Sequence, residues 1–224
     1  MTDRMILTLA ILGGTGREGQ ALAGRWAKAG YYVLIGSRSR EKAEKAAEAV
    51  NERLGRDVVH GMENAAAAAG CDIAVLTVPF EAHRSTLEAL KGHLKGKVLV
   101  DVCVPLAPEN PAVVRMPDAG SAAQEAQSIL GPSADVVAAF HSVSHQHLKR
   151  DEPVACDVLV CGDDEGARQQ VLQLVKAAGL LGWDAGPLQN AVVAEGLAAI
   201  LVGINQRYKI KGAGIRITGE QRPE

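Results

Sequence analysis

Eight short apolar segments recur along the chain, and most of them are separated by longer segments of mixed character. Most are rich in Val, Ile and Leu, and few alternate apolar with polar positions, which is typical of strands in a parallel sheet covered on both faces. The strand candidates are residues 6–12, 32–36, 58–60, 73–78, 98–102, 136–140, 158–161 and 181–184. The segments between them include helix candidates at residues 18–28, 39–54, 122–129 and 164–178. This alternation predicts an α/β fold with a doubly wound, mainly parallel sheet.

The pattern changes after residue 186. Residues 190–206 are predicted to form one long helix that is apolar almost all round, with Glu195 as its only charge, and a Gly- and Lys-rich tail follows at residues 208–219. A helix that is apolar around its whole circumference needs to be buried, and we expect the partner of a homodimer to cover it. The sequence therefore predicts a sheet domain of residues 1–186 and a C-terminal helical extension of residues 187–224, which forms a dimer and substrate-pocket element.

Composition narrows the class of protein. The 224 residues carry a formal net charge of -2 and only 3% aromatic side chains, which argues against a nucleic-acid-binding surface. The sequence shows no run of about 20 apolar residues and no signal-peptide pattern, so we expect no membrane partner. Its 4 cysteines include no C-x-x-C pair, which predicts buried free thiols in a reducing compartment. These features favour a cytoplasmic globular protein.

A glycine-rich motif directly follows the first predicted strand and opens the first predicted helix. Its residues are Gly14, Thr15, Gly16, Arg17, Glu18 and Gly19, and they match G-x-G-x-x-G. In this context the first glycine allows a tight turn, the second lets the backbone approach a pyrophosphate, and the third lets the helix pack closely on the strand. We call residues 14–19 the glycine turn and predict that it binds a dinucleotide in a Rossmann-type fold, with the phosphates at the helix N-terminus.

The end of the second strand selects the dinucleotide. An NAD site usually places Asp or Glu there to accept hydrogen bonds from ribose hydroxyls, but this chain has Ser37 and Arg38, with Lys42 just beyond. A carboxylate would repel a 2′-phosphate, whereas these three residues, which we call the basic corner, attract it. Cations are also unfavourable at a helix N-terminus unless something else requires them. The basic corner therefore predicts NADP(H) rather than NAD(H).

Further candidates lie where later strands end, at the crevice of such a fold. Val78 and Pro79 follow the fourth strand and are predicted to line the nicotinamide, and the fifth strand leads through Asp101 to Val104. Asp101 is interpreted either as a strand-end cap or as a functional acid. His141, His145 and His147 follow the sixth strand, but no cysteine or carboxylate nearby completes a metal site, so we predict none. His141 is a candidate pocket contact, and the other two are interpreted as polar loop residues.

With these residues in hand, the chain resembles the NADPH-dependent reductases of the deazaflavin coenzyme F420, nearly end to end. The landmarks are residues 12–16 (LGGTG), 36–38 (GSR), Lys42, 71–79 (CDIAVLTVP), 160–164 (VCGDD), 184–188 (DAGPL) and 212–215 (GAGI). The resemblance implies that Thr15, Gly16, Arg17, Glu18 and the basic corner bind NADP. It implies that Val78, Pro79 and the loop of His141 and Ser142 line the nicotinamide and the deazaflavin. It also implies a dimer, with a tail whose Ala213 and Gly214 help to close the deazaflavin pocket beside Val104.

The resemblance implies reversible hydride transfer between NADP(H) and F420 as co-substrate. Both rings carry a complete hydride, so the protein has only to stack them with the reacting carbons about 3–3.5 Å apart, and no catalytic acid–base residue is predicted. Two segments depart from the family, the 141–147 loop and the proline-rich loop at 106–118. Both lie on the substrate side, so two alternatives stay open. They are an NADPH-dependent reductase of a flavin, a ferric chelate or a small imine, and a non-enzymatic NADP-sensing module.

Overall fold

A computed structural model describes residues 6–150, 152 and 154–219 of the chain. The ends of both predicted units, residues 1–5 and 220–224, lie outside the described residues. Within them, eight strands form one sheet: β1 (Thr8–Leu12), β2 (Tyr32–Ser37), β3 (Val59–Glu63), β4 (Ile73–Leu76), β5 (Val98–Asp101), β6 (Asp135–Ala138), β7 (Asp157–Gly162) and β8 (Leu181–Asp184). The α-helices are α1 (Arg17–Lys28), α2 (Arg40–Leu54), α3 (Asn64–Gly70), α4 (Phe80–Leu90), α5 (Ala122–Leu130), α6 (His145–Leu148), α7 (Glu165–Ala177) and α8 (Ala191–Tyr208).

The strand order is β3-β2-β1-β4-β5-β6-β7-β8. The first six strands are parallel, β7 runs antiparallel to β6, and β8 pairs in parallel with β7. The order reverses between β1 and β4, which is where an open α/β sheet of this kind forms its ligand crevice. The predicted doubly wound, mainly parallel Rossmann-type fold is confirmed. The crevice therefore lies next to the glycine turn, directly after β1.

Two apolar layers cover the sheet, one on each face. One layer contains Trp26 of α1 and Phe140, whose rings meet edge to face at 5.7 Å between centroids, and the Trp26 indole donates to the carbonyl of Leu174. The other layer includes residues of α3, α4 and α5, and among its members are Leu76, Leu87 and Leu99. Because both faces are covered, the strands need continuous apolar runs rather than alternation, which explains the pattern in the sequence.

The C-terminal helix α8 is only half enclosed by its own subunit. Its inner face is buried, and there the carboxylate of Glu195 accepts hydrogen bonds from the backbone amides of Ala122 (2.6 Å) and Ala123 (3.1 Å) at the start of α5. On the outer face, Val193 is 68% exposed and Ile200 is 49% exposed. Among the described residues, the helical segment Leu188–Tyr208 is long and apolar enough to cross a membrane by length and composition. Of its apolar 18-residue window, 44% is buried in the protein.

Candidate functional site

The glycine turn packs so tightly that two of its glycines cannot carry a side chain. A Cβ on Gly14 would lie 2.7 Å from the carbonyl oxygen of Ile11, and a Cβ on Gly19 would lie 2.6 Å from the Cα of Gly14. The positive φ of the turn falls one residue earlier than predicted, at Gly13 (φ +70°). Gly14 is therefore required for close packing on β1, and Gly13 supplies the left-handed turn itself.

Gly16 has a different environment, because its open side faces the crevice. A Cβ there would meet no described atom within 4 Å, and Gly16 is the N-cap of α1 without a side-chain cap. The first amides of α1 are thus left for another acceptor, as they are at a helix N-terminus that holds a phosphate. These residues fit the pyrophosphate of a dinucleotide.

The basic corner lies at the end of β2, in one cavity with part of the glycine turn. This cavity of about 200 Å³ is lined by Ser37, Arg38 and Lys42 together with Thr15, Val78 and Pro79. Arg38 and Lys42 form no ion pair with any described residue, whereas the neighbouring cations Arg40 and Lys45 pair with Glu44 and Glu41. Ser37 is buried, and its Oγ accepts from the amide of Ser39. Its hydroxyl proton is left for a second acceptor.

Asn64, the first residue of α3, belongs to the same cavity and was not predicted from the sequence. Its Oδ1 accepts from the amide of Gly13 at 3.1 Å, and a Cβ on Gly36 would come within 2.6 Å of that oxygen. Asn64 directly follows β3, whose C-terminal end meets the same sheet edge as those of β1 and β2. That position at a strand end is the signal that would have found it.

A second cavity of about 540 Å³ continues from the glycine turn toward the end of β5. We call it the nicotinamide cavity, because it contains Val78 and Pro79, which are predicted to line the nicotinamide. It shares these two residues, Gly13 and Thr15 with the basic-corner cavity, so the two cavities adjoin across the glycine turn. Its further lining residues are Gly16, Arg17, Glu18, Gly19, Thr77, Phe80, Glu81, Val102, Cys103, Val104 and Leu106. The predicted cofactor residues Thr15 to Gly19 of the turn, together with Val78, Pro79 and Val104, are therefore brought to one crevice, whereas Gly14 does not line it.

Asp101 is the centre of a buried polar network behind this cavity. Its Oδ2 accepts from His83 Nε2 at 2.8 Å, and its Oδ1 accepts from the amide of Cys103 at 3.0 Å. The other ring nitrogen of His83 faces Glu125 at 3.2 Å. Burial lowers the pKa of His83, but the hydrogen bonds and charges of Asp101 and Glu125 outweigh it, so the pKa lies above its usual value. Of the two interpretations of Asp101, the contacts support the one that anchors the strand end.

The three histidines after β6 do not form one cluster among the described residues. His147 donates from Nε2 to the carbonyl of Gly212 at 2.8 Å, and His145 begins α6. Both ring nitrogens of His141 are buried without a hydrogen-bond partner in the described part of the chain, and burial lowers the pKa of His141 to about 4. The described group with metal-ligand spacing is instead His83, Asp101 and Cys103, in which the contact between His83 and Asp101 is already a hydrogen bond.

The predicted substrate residues fall into two groups. Ser142 is buried and donates to the carbonyl of Asp157, and Gly214 passes so close to Cys156 Sγ that a Cβ would lie 2.5 Å away. The amide of Ala213 donates to Asn205 Oδ1 at the end of α8. The tail therefore packs on the loop of His141 and Ser142, whereas Val104 lines the nicotinamide cavity, to which no described tail residue contributes. Closure of a deazaflavin pocket by Ala213 and Gly214 stays a prediction. The Ser142 hydroxyl therefore already has a hydrogen-bond acceptor within the protein.

A third cavity, of about 630 Å³, adjoins the nicotinamide cavity and shares Phe80, Glu81 and Leu106 with it. The proline-rich loop forms its outer wall through residues such as Pro108, Met116 and Pro117. The two cavities therefore adjoin at the start of α4 and at Leu106.

Comparison with known proteins agrees with this geometry. A family model described as "NADP oxidoreductase coenzyme F420-dependent" matches residues 8–105. The chain is 42% identical over 222 residues to an F420-dependent NADP reductase of Methanocaldococcus jannaschii, covering 95% of this chain and 98% of that protein. It is 41% identical to the enzyme of the same name from Methanothermobacter thermautotrophicus, covering 97% of each.

Among solved structures, the fold superposes on a putative F420-dependent NADP reductase from Arthrobacter sp. FB24 with a TM-score of 0.80 and 26% identity. That match covers 95% of this chain and 100% of the other. The two archaeal reductases match this chain over nearly their whole length, so the chain belongs to the family of F420-dependent NADP reductases.

Proposed function

We propose that this protein is an NADP-dependent oxidoreductase that transfers hydride between NADP(H) and the deazaflavin coenzyme F420. The observation that carries the proposal is the continuous crevice from the basic corner, across the glycine turn, into the nicotinamide cavity. Relatives at 41–42% identity over nearly their whole length carry the name F420-dependent NADP reductase, which supports F420 as the second substrate.

Different residues along this crevice bind different parts of the dinucleotide. Arg38 and Lys42 neutralise the 2′-phosphate, the free amides of α1 hold the pyrophosphate, and Val78 and Pro79 form an apolar wall for the nicotinamide. Both substrates are hydride carriers, so the protein contributes orientation and exclusion of water rather than a nucleophile. The contact of His141 with the second substrate stays a prediction, because His141 lies beside the tail and lines neither of the two large cavities.

An anaerobic assay tests the acceptor directly. NADPH mixed with the protein and oxidised F420 should bleach the visible absorbance of the deazaflavin, whereas FMN and ferric chelates in parallel cuvettes should be reduced far more slowly. Reduction of FMN or of a ferric chelate faster than that of F420 would contradict F420 as the acceptor. Tight binding of NADPH without turnover of any acceptor would instead identify an NADP-sensing module.

We also propose a homodimer formed through the outer face of α8. Val193 and Ile200 are exposed on this face, and Val114 of the proline-rich loop lies beside Gly196 of the same helix and is 46% exposed. Apolar side chains clustered on a surface in this way are characteristic of a subunit interface. The 4 free, buried cysteines support a reducing compartment, and we propose that the dimer resides in the cytoplasm.

Introducing charge into the α8 face should separate the subunits. The double variant Val193→Glu, Ile200→Glu is expected to sediment as a monomer in analytical ultracentrifugation, because two buried carboxylates at an interface are too costly to desolvate. Tyr32→Glu places a charge at an exposed residue of β2 and serves as the control that keeps the wild-type mass. A wild-type protein that already sediments as a monomer would contradict the dimer.

A further inference from the structure

Glu18 differs from Asp101 and Glu195, the buried acids described above, because one of its carboxyl oxygens is buried without a partner among the described residues. Glu195 accepts two backbone amides, whereas Oε1 of Glu18 is inaccessible to solvent and has no hydrogen-bond partner among the described residues. Burial raises the pKa of Glu18 to about 8, so the group holds a proton at neutral pH. Leaving a buried polar atom unsatisfied is unfavourable, which indicates that a ligand completes its surroundings.

The position of Glu18 identifies the part of the ligand that it meets. It stands in the first turn of α1, in the wall of the nicotinamide cavity. The basic corner takes the 2′-phosphate end of the dinucleotide, and the backbone amides at the start of α1, not the side chain of Glu18, take the pyrophosphate. The remaining half, which ends in the nicotinamide ring, then occupies the cavity that Glu18 lines.

The charges around Glu18 leave it without a fixed counter-ion. The other ionisable groups of the cavity are Arg17, Glu81 and Cys103. On the elements packed against α1, His145 is close to the cations Arg17 and Lys149, and Arg53 of α2 donates to the carbonyl of Gln20. None of these groups contributes to the raised pKa of Glu18, which has burial as its cause. A charge that arrives with a ligand therefore dominates the electrostatics of this carboxyl.

We propose that Glu18 couples a proton to the redox state of the bound nicotinamide, being protonated beside the neutral dihydronicotinamide and ionised beside the nicotinamide cation. This inference rests on the proposed function, since it needs NADP(H) in the crevice. An opposite charge close to a carboxyl favours its ionised form, and the effect is strong where water is excluded. The ionised form of Glu18 then favours the oxidised cofactor and promotes release of hydride from NADPH.

The proton and electron balance of the reaction is preserved. Hydride, with two electrons, leaves C4 of the dihydronicotinamide and forms the new C–H bond at C5 of the deazaflavin, which also takes one proton from solution at a ring nitrogen. Glu18 breaks its O–H bond and releases that proton to solvent as the cation forms, and it regains a proton when NADP⁺ leaves. The sum remains NADPH, F420 and one proton giving NADP⁺ and reduced F420.

Binding measurements without the second substrate test the coupling. We would measure the dissociation constants of NADP⁺ and NADPH between about pH 6.5 and 9 for the wild type and for Glu18→Gln. The 2′-phosphate titrates in both ligands alike and cancels in the ratio of the two constants. In the wild type, the dissociation constant of NADP⁺ divided by that of NADPH should fall as the pH rises. The total fall should be about tenfold for each pH unit by which NADP⁺ lowers the pKa of Glu18.

The variants separate this role from a structural one. Glu18→Gln keeps the size and hydrogen-bonding capacity and should give a ratio independent of pH, whereas Glu81→Gln, an exposed acid on the same cavity, should keep the wild-type slope. Calorimetry in two buffers should show more proton release on binding of NADP⁺ than on binding of NADPH, since the 2′-phosphate contributes equally to both. A flat wild-type ratio, or an unchanged slope in Glu18→Gln, would overturn the coupling alone. Failure of both dinucleotides to bind would overturn the proposed function with it.

Discussion

Arg38→Ala is expected to weaken NADPH binding by about 1.5–3 kcal/mol, or roughly 10- to 150-fold, because the 2′-phosphate loses charge-assisted hydrogen bonds. NADH lacks this phosphate, so its affinity should change far less. Isothermal titration calorimetry with both cofactors measures the difference. The ratio of the two affinities is the informative quantity, since a general distortion of the crevice would weaken both cofactors equally.

Arg40→Ala provides the matched control for Arg38→Ala. Arg40 is two residues further along and is the first residue of α2. It pairs with Glu44 at 2.7 Å and does not line the basic-corner cavity. Its removal lowers the local positive charge by the same amount without removing a group from the corner. Similar losses of NADPH affinity in the two variants would show that only the overall field matters, and equal losses for NADH and NADPH in Arg38→Ala would contradict recognition of the phosphate.

The sheet could be predicted almost completely, because its signals are local. Each of the 8 strands overlaps an apolar run that the sequence shows, since a strand buried on both faces excludes polar residues, although the partly buried β3 ends three residues beyond its predicted end. Ser39 and Asp164 mark the starts of α2 and α7 through side-chain caps that are also readable in the sequence. The antiparallel pairing of β7 with β6 has no such local signal, because the direction in which two distant segments pair is not readable from either segment alone.

The candidate site could be predicted only where one motif contains its residues. The glycine turn is continuous in sequence and the basic corner spans only six residues, and the structure brings them to one crevice. Asn64 reaches the turn from the start of α3, the Asp101 partner His83 comes from α4, and Glu125, the partner of His83, comes from α5. The unpaired state of Glu18 follows from packing around α1. Contacts of this kind depend on the fold, and a single sequence does not show them.

The network around Asp101 leads to the second large effect, which is on stability. Asp101→Ala is expected to lower the free energy of unfolding by about 3–5 kcal/mol, because it leaves the buried His83 without its closest carboxylate. The side chains of His83 and Asp101 are both 0% exposed, so water does not replace the lost contact. Denaturation by urea, followed by circular dichroism, measures the change.

Glu44→Ala is the control for this variant, since it removes a carboxylate from an exposed ion pair and should cost only about 0.3–0.5 kcal/mol. A loss from Asp101→Ala no larger than that would contradict an energetic role of the network. His83→Ala combined with Asp101→Ala should cost less than the sum of the two single changes, because each single variant already breaks the same contact. The amide of Cys103 also depends on Asp101, and Cys103 lines the nicotinamide cavity. The folded variant should therefore bind NADPH more weakly as well, which would show that the buried network sets the shape of the cavity.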